Sequence, residues 1–364
     1  MDNNFIPIFL ATDEGYAPYA AIMMYTVLQH TRSPVRFYVL DGGMCPETRT
    51  KVISTCASFP HGRIEFIGMH SFESRLRKIS GIETWPISMF YRYFIPEINP
   101  DLQKILYIDV DIVATGDIAE LYAQPLNGHP LGAILENYYG HAELRPHYKG
   151  GQNYFNSGVL LMDLARFRQH QATERLLQRT QEMIEMNILG CADQDVLNDF
   201  FLGQVQPLDD RFNLMPDLID RLRAHKGKAG EASIRHPVLL HYAGKRKPWR
   251  TFSCNYSERF RAVAEKTVFW DDIYRSIVMN DFAFVRIPFS TVRDLSKAML
   301  PLHFRKLMYT LKMCFHRREK RILYRNRRNG IQRLMTIVHD IQRCVKKHPL
   351  SPFLSELASI EKVP

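Results

Sequence analysis

Ile105-Leu106-Tyr107-Ile108-Asp109-Val110-Asp111-Ile112-Val113 is an apolar, β-branched run that carries two acids one residue apart. A short continuous apolar run of this kind reads as a fully buried strand. Two carboxylates have no place in such a strand unless something cationic neutralises them. The spacing therefore predicts a strand whose far end, at Asp109 and Asp111, holds a divalent ion from two sides. In open α/β sheets ligands collect at the carboxyl ends of strands, and an ion held there can clamp a diphosphate. The pair alone is ambiguous. A second Asp-x-Asp stands at Asp193 and Asp195, and the same spacing also serves turns and helix caps.

Working outward, short apolar strands alternate with amphipathic segments. Ile6 to Leu10, Val35 to Leu40 and Ile64 to Ile67 read as strands, with helices predicted over Tyr19 to Gln29 and Pro46 to Ala57. The pattern continues beyond the acidic pair through strands Leu131 to Leu135 and Val159 to Met162. A helix follows from Asp163 to about Met186, and another opens at Asp193 or Asp195. Such alternation implies an α/β fold with a mostly parallel central sheet covered by helices. Met215 to Glu231 is polar and weakly patterned, and reads as a surface excursion.

The 364 residues, 46% of them apolar, suffice for one large domain of roughly 250 to 280 residues and an appendage. The most apolar stretch, Tyr19 to Leu28, is too short to span a bilayer. Met1-Asp2-Asn3-Asn4 lacks the basic and small-residue pattern of a signal peptide, so a cytoplasmic location is expected. Six scattered cysteines without a C-x-x-C pair predict reduced thiols rather than a disulfide framework or a zinc site. The net charge of +10 is uneven: Thr291 to Lys347 holds 16 basic residues against 3 acids, a local +13, which leaves −3 for the remainder. Helical stripes at Phe304, Leu307, Met308, Leu311 and Phe315 and at Ile331, Leu334, Val338, Ile341 and Val345 accompany that charge. A basic, amphipathic tail fits helices packed on the body or laid on an anionic membrane; nucleic acid is the weaker fit.

Four stretches converge with the central pair. Ala11-Thr12-Asp13-Glu14-Gly15-Tyr16 follows the first strand, where small residues admit a planar base and Asp13 can accept its imide N–H, or where an ordinary turn forms. Tyr154-Phe155-Asn156-Ser157-Gly158 places polar groups at the mouth of a strand, suited to sugar contact or to a structural role. Ala192-Asp193-Gln194-Asp195-Val196-Leu197-Asn198 reads as a capped helix start whose Gln194 can also face a ligand. His241-Tyr242-Ala243-Gly244-Lys245-Arg246-Lys247-Pro248-Trp249 follows an apolar strand, where a lone histidine is more often a hydrogen-bonded core residue than a ligand, but here with a glycine for close backbone approach and a cation for phosphate.

In order and composition these motifs resemble glycosyltransferase family 8, and most of all its bacterial lipopolysaccharide α-galactosyl- and glucosyltransferases. The resemblance covers about residues 5 to 250. It implies a GT-A nucleotide-sugar-binding fold over residues 1–270, with residues 271–364 as a basic helical C-terminal extension. It also implies a UDP-sugar donor, Mn²⁺ with Mg²⁺ as an alternative, retention of anomeric configuration, and a glycan or lipid-linked glycan acceptor. Residue by residue, Asp109, Asp111 and His241 would ligate the metal, with the Val110 backbone beside the donor. Ala11, Thr12, Asp13 and Tyr16 would line the base pocket, and Gly244 and Lys247 would hold the phosphates. Arg92, Asn156 and Asp193 would meet the donor sugar, Gln194 would face the anomeric carbon, and Glu136 would lie near the acceptor. Gly15 stands where relatives often carry a polar side chain, and the stretch between Glu136 and Gln152 matches no pattern. In relatives a basic tail brings the enzyme to the inner membrane, which implies peripheral association here.

Two other classes compete. A nucleic-acid or membrane scaffold needs no buried acids, and a sugar-nucleotide-forming nucleotidyltransferase would carry a Gly-rich loop after the first strand, where Ala11 to Tyr16 has a single glycine.

Overall fold

The computed structural model describes residues 5–136, 153–251 and 254–285. The strands are β1 (Ile6–Thr12), β2 (Val35–Asp41), β3 (Gly62–Gly68), β4 (Lys104–Ile108), β5 (Ile112–Ala114), β6 (Leu131–Leu135), β7 (Phe155–Asp163), β8 (Val205–Pro207) and β9 (Leu239–His241). Seven of them form one sheet in the order β3-β2-β1-β4-β7-β6-β8. The pairs β1–β2, β2–β3, β1–β4 and β6–β8 are parallel, while β7 runs antiparallel to both β4 and β6. The mostly parallel sheet expected from the alternation is present, and β7, buried along nearly its whole length, is an antiparallel strand within it.

The strand expected to end at the central acids is present: β4 stops at Ile108, and a further strand, β5, begins at Ile112. The residues between form a turn that carries the chain from the large sheet into a two-stranded sheet of β5 and β9. Both flanks are buried and apolar, so the sequence pattern could not register the change of sheet.

Helices Ala17–His30 and Pro46–Cys56 form where expected. The long helix predicted from Asp163 is two, Leu164–Gln169 and Ala172–Glu185, separated by Gln171 in the left-handed region at φ 50°. Asp163 caps the first by accepting from the Arg166 N–H at 3.0 Å. The break re-aims the second helix so that the buried Thr173 hydroxyl donates to the Tyr93 carbonyl at 2.7 Å. The expected excursion at Met215 to Glu231 is instead helical, Ile219–Lys226 and Lys228–Arg235, and buries Ile219, Leu222 and Ile234. Its apolar residues are too few for a periodic signal.

The described residues fall into two compact units, one ending at Ala243 and one beginning at Gly244. The core of the first unit packs Phe9, Tyr38, Leu40, Phe90, Tyr107 and Leu160 among others across the sheet. Among the described residues no helix is long and apolar enough to cross a membrane. The two stripes at 304–315 and 331–345, the basic tail from residue 286 onward and the stretch between Glu136 and Gln152 lie outside the described residues.

Among the described residues, Cys45, Cys56, Cys191 and Cys254 are free thiols. Burial pushes the Cys56 thiol up to about 12, so it stays protonated where alkylating agents need thiolate. Native alkylation at pH 8 is therefore expected to label the exposed Cys45 and spare Cys56 until the chain is denatured, as peptide mass mapping would read. Equal labelling of the two in the native state would contradict the packing around Cys56.

Candidate active site

Strand register assembles the acidic site. The antiparallel β5–β9 pair sets His241 opposite Ile112, one residue beyond Asp111. The Tyr242 N–H donates to the Asp111 carbonyl at 2.9 Å, fixing the turn against the end of β9. On the other side, the Asp109 N–H donates to the Gly158 carbonyl of β7 at 2.8 Å. Three side chains distant in sequence thus meet: one donor atom from each of Asp109, Asp111 and His241 lies within 4.8 Å of the others. His241 Nε2 is 3.1 Å from Asp111 Oδ1 and 4.0 Å from Asp109 Oδ2.

Arg92 approaches from the short helical segment Ile87–Phe94, between aromatic residues that are all buried. It is only 4% exposed and lies over the Tyr107 ring, 4.1 Å from its centroid. Its guanidinium donates to Asp109 Oδ1 at 2.9 Å and to the Ser157 carbonyl at 2.6 Å. It also faces Asp193 Oδ2 at 3.1 Å, an ion pair without the alignment of a hydrogen bond. Burial raises the Asp193 carboxyl to about 6, with Arg92 opposing and Asp109 adding to the rise. Near neutral pH, three carboxylates (Asp109, Asp111, Asp193) against one guanidinium leave −3 + 1 = −2. A divalent cation would balance that charge.

A buried polar chain lies behind this cluster. Asn156 Oδ1 accepts from the Gly158 N–H and from Asn213 Nδ2, both at 2.9 Å. Asn156 Nδ2 donates to Glu136 Oε1 at 2.9 Å and to Gln194 Oε1 at 3.1 Å. Gln194 Oε1 also accepts from the Ser157 N–H at 3.1 Å, and its Nε2 donates to the Tyr154 hydroxyl at 3.2 Å. That hydroxyl donates to Asp195 Oδ1 at 2.5 Å. Asp195 Oδ2 reaches back to the Gly190 and Cys191 N–H groups at 2.7 and 2.6 Å, securing the start of helix Ala192–Phe200. The two acids expected to compete for that cap divide the work: Asp195 holds the helix start and Asp193 turns inward to Arg92.

A family model described as glycosyl transferase family 8 matches residues 7–253. The chain belongs to that family. In sequence, the glycosyltransferase GlyF of Streptococcus pneumoniae serotype 4 is 29% identical over 289 residues, 77% of this chain and 63% of that relative. The lipopolysaccharide 1,2-glucosyltransferase of Escherichia coli K12 is 28% identical over 205 residues, 54% of this chain and 60% of that enzyme. The chain thus spans less than two thirds of the length of either relative. Among solved structures, the galactosyltransferase LgtC in complex with donor and acceptor sugar analogues matches with a TM-score of 0.61 at 25% identity, covering 74% of this chain and 100% of LgtC. The fold is that of a GT-A glycosyltransferase.

The remaining family-type positions fall as follows. Thr12 is buried at the end of β1, next to partly buried Ala11 and Asp13, and Tyr16 is exposed. Asp13 Oδ1 accepts from the Tyr16 N–H at 3.0 Å, shaping the turn that enters helix Ala17–His30. Val110 is buried at the apex of the acidic turn. Gly244 and Lys247 belong to the second unit; Gly244 takes a φ of 89°, and the Lys247 ammonium lies 5.6 Å from the centre of the Trp249 ring. Two functional positions escaped the sequence reading. Asn213 accepts at 2.9 Å from His241 Nδ1, and nothing in Arg211-Phe212-Asn213-Leu214 signals this. Gly158 stands within the Tyr154–Gly158 motif, where nothing in its residue type announces a role.

The space over Gly158 tests whether a cation belongs here. A Cβ on this residue would stand 2.4 Å from His241 Cε1 and 2.7 Å from Asp109 Oδ2. The glycine therefore lets two donor groups close over its own backbone, and the carboxylate–imidazole donor set is one that a divalent cation accepts. Gly158→Ala is expected to leave the melting temperature within a few degrees of wild type while weakening divalent-cation binding by about tenfold or more, because the methyl displaces His241 and Asp109. Titration of Mn²⁺ into both proteins would measure this, and unchanged affinity would show that the crowding is absorbed elsewhere.

Proposed function

We propose that this protein is a retaining hexosyltransferase that moves galactose or glucose from a UDP-sugar to a lipooligosaccharide or lipopolysaccharide core acceptor with Mn²⁺, Mg²⁺ being the alternative. The observation that carries the reading is the convergence of Asp109, Asp111 and His241 at the end of β4 in a chain of this family. Similarity to the Escherichia coli lipopolysaccharide 1,2-glucosyltransferase and to LgtC supports the acceptor and donor classes.

When bound, a divalent cation supplies positive charge to the diphosphate as it departs. The side chains of the protein do the rest of the positioning. Arg92 holds the Asp109 carboxylate in place from behind, so the acidic pair is preorganised before a donor arrives. Ala11, Thr12, Asp13 and Tyr16 at the end of β1 receive the base, with Asp13 accepting from it. The motif at Gly244 and Lys247 offers close backbone approach and a cation, a combination suited to phosphate. Asp193 takes a hydroxyl of the donor sugar, and Arg92 keeps it charged and oriented.

Breaking the sugar–phosphate bond leaves positive charge on the sugar ring and negative charge on the departing phosphate. Gln194 is an amide, and its oxygen already accepts from Asn156 and Ser157, which makes it a poor nucleophile. That supports front-face transfer: the acceptor hydroxyl attacks on the side the phosphate leaves, and a phosphate oxygen takes its proton. A double displacement would require a carboxylate where Gln194 stands. All four hydrogen-bonding positions of Asn156 are engaged within the chain, so its contribution is to hold Gln194 and Glu136, the latter facing the acceptor side.

The basic C-terminal residues of 271–364 deliver the enzyme to the anionic inner membrane, where a lipid-linked acceptor resides. Each basic side chain near such a surface contributes about 1 kcal/mol.

Calorimetric titration with UDP-galactose and UDP-glucose, in Mn²⁺ and in EDTA, tests the donor. One of the two is expected to bind tightly only with Mn²⁺, and silence from both under every metal condition would end the transferase reading. Separately, the full chain is expected to sediment with phosphatidylglycerol-containing vesicles at low salt and to be released by high salt. Equal sedimentation with neutral phosphatidylcholine vesicles would remove the electrostatic membrane role.

A further inference from the structure

A histidine that ligates through Nε2 must carry its proton on Nδ1, whereas imidazole free in water prefers the opposite arrangement. Something must therefore set the tautomer of His241, which is only 3% exposed and cannot draw on bulk water.

The answer can be traced from a backbone amide. The Gly158 N–H can only donate, and it points at Asn156 Oδ1 from 2.9 Å, so that atom is an acceptor oxygen. The Asn213 atom 2.9 Å from the same oxygen must then be its amide nitrogen. This leaves the Asn213 oxygen toward His241 Nδ1, at 2.9 Å, where it can only accept. His241 Nδ1 is thereby required to hold a proton, and Nε2 is the ring nitrogen that faces Asp111, at 3.1 Å. In the neutral ring the lone pair is then on Nε2, the atom turned toward the acids, which is the arrangement a metal ligand needs.

Resting on the reading that Asp109, Asp111 and His241 hold a divalent cation, the geometry points to Asn213 as a positioning residue that fixes His241 in its ligating tautomer. Asn213 reaches this place through tertiary pairing. Leu214 bridges to Leu240 of β9, with the Leu214 N–H donating to Leu239 and the His241 N–H to Leu214, both at 2.9 Å. The residue before Leu214 therefore lies alongside the strand that carries the histidine. The same chain joins the metal site to Gln194 through Asn156, so Asn213 also helps orient the amide proposed to face the anomeric carbon.

The test uses the full chain with Mn²⁺ alone as ligand, plus nitrogen NMR of the histidine-labelled, metal-free protein. At a pH high enough for the ring to be neutral, wild-type His241 is expected to carry its proton on Nδ1 and not on Nε2. Asn213→Leu should lose that tautomer and bind Mn²⁺ about 10- to 100-fold more weakly. Asn213→Asp still accepts from Nδ1–H and should hold Mn²⁺ within about threefold of wild type, although its melting temperature falls as the bond to Asn156 is lost. A neutral wild-type imidazole with its proton on Nε2 and none on Nδ1 would overturn the inference, as would wild-type Mn²⁺ affinity in a folded Asn213→Leu variant. If Asn213→Leu does not fold, the wild-type tautomer and the Asn213→Asp affinity decide the matter. Absence of Mn²⁺ binding to wild type would instead remove the metal reading and leave the tautomer assignment to stand or fall on the NMR.

Discussion

The buried guanidinium of Arg92 is the interaction on which the site depends. It joins the Asp109 carboxylate at the end of β4, the Ser157 carbonyl on β7 and Asp193 in the first turn of helix Ala192–Phe200. None of those groups could be buried alone. Removing one partner of a buried ion pair costs about 3 to 5 kcal/mol, a large part of the 5 to 15 kcal/mol that typically stabilises a domain. The ring of Tyr107 beneath the guanidinium and the apolar segment that delivers it keep water away, so the orientation is set by the protein.

A second constraint is the turn at Asp109-Val110-Asp111. By leaving the large sheet there, the chain makes two acids, one residue apart, the junction between two sheets. The pairing of β5 with β9 then returns His241 to the same point from about 130 residues later in the chain. Backbone hydrogen bonds from Asp109 to Gly158 and from Tyr242 to Asp111 secure both sides of the turn. The donor atoms are thus positioned by strand register rather than by the flexibility of a loop, which favours a site held ready for charge.

Much of this was legible in the sequence, and the reason is regular. Alternating apolar strands and amphipathic helices expose the sheet, and polar residues immediately after apolar runs mark strand ends; that His241 joins Asp109 and Asp111 was implied by the resemblance to the family and not by the pattern. What could not be read has a common cause. Asn213 has no periodic or motif signal because its role exists only once Leu214 pairs with Leu240. The break at Gln171 lacks a glycine or proline to announce it. The turn at Asp109 is hidden by apolar residues on both sides. Asn156 looks from sequence like a ligand for sugar, and only its four partners reveal a structural load.

The two margins of the large sheet are finished differently from its centre. At one, β3 turns Arg63 and Glu65 to solvent between partly buried apolar residues. At the other, β8 is three residues long and ends on an exposed proline, which has no N–H to offer. Charged side chains, shortness and proline are the means by which sheets discourage a foreign strand from adding to them. The polar interior of the site is thus carried by a sheet that resists extension at either margin, so its chemistry is kept apart from the tendency of bare strand edges to aggregate.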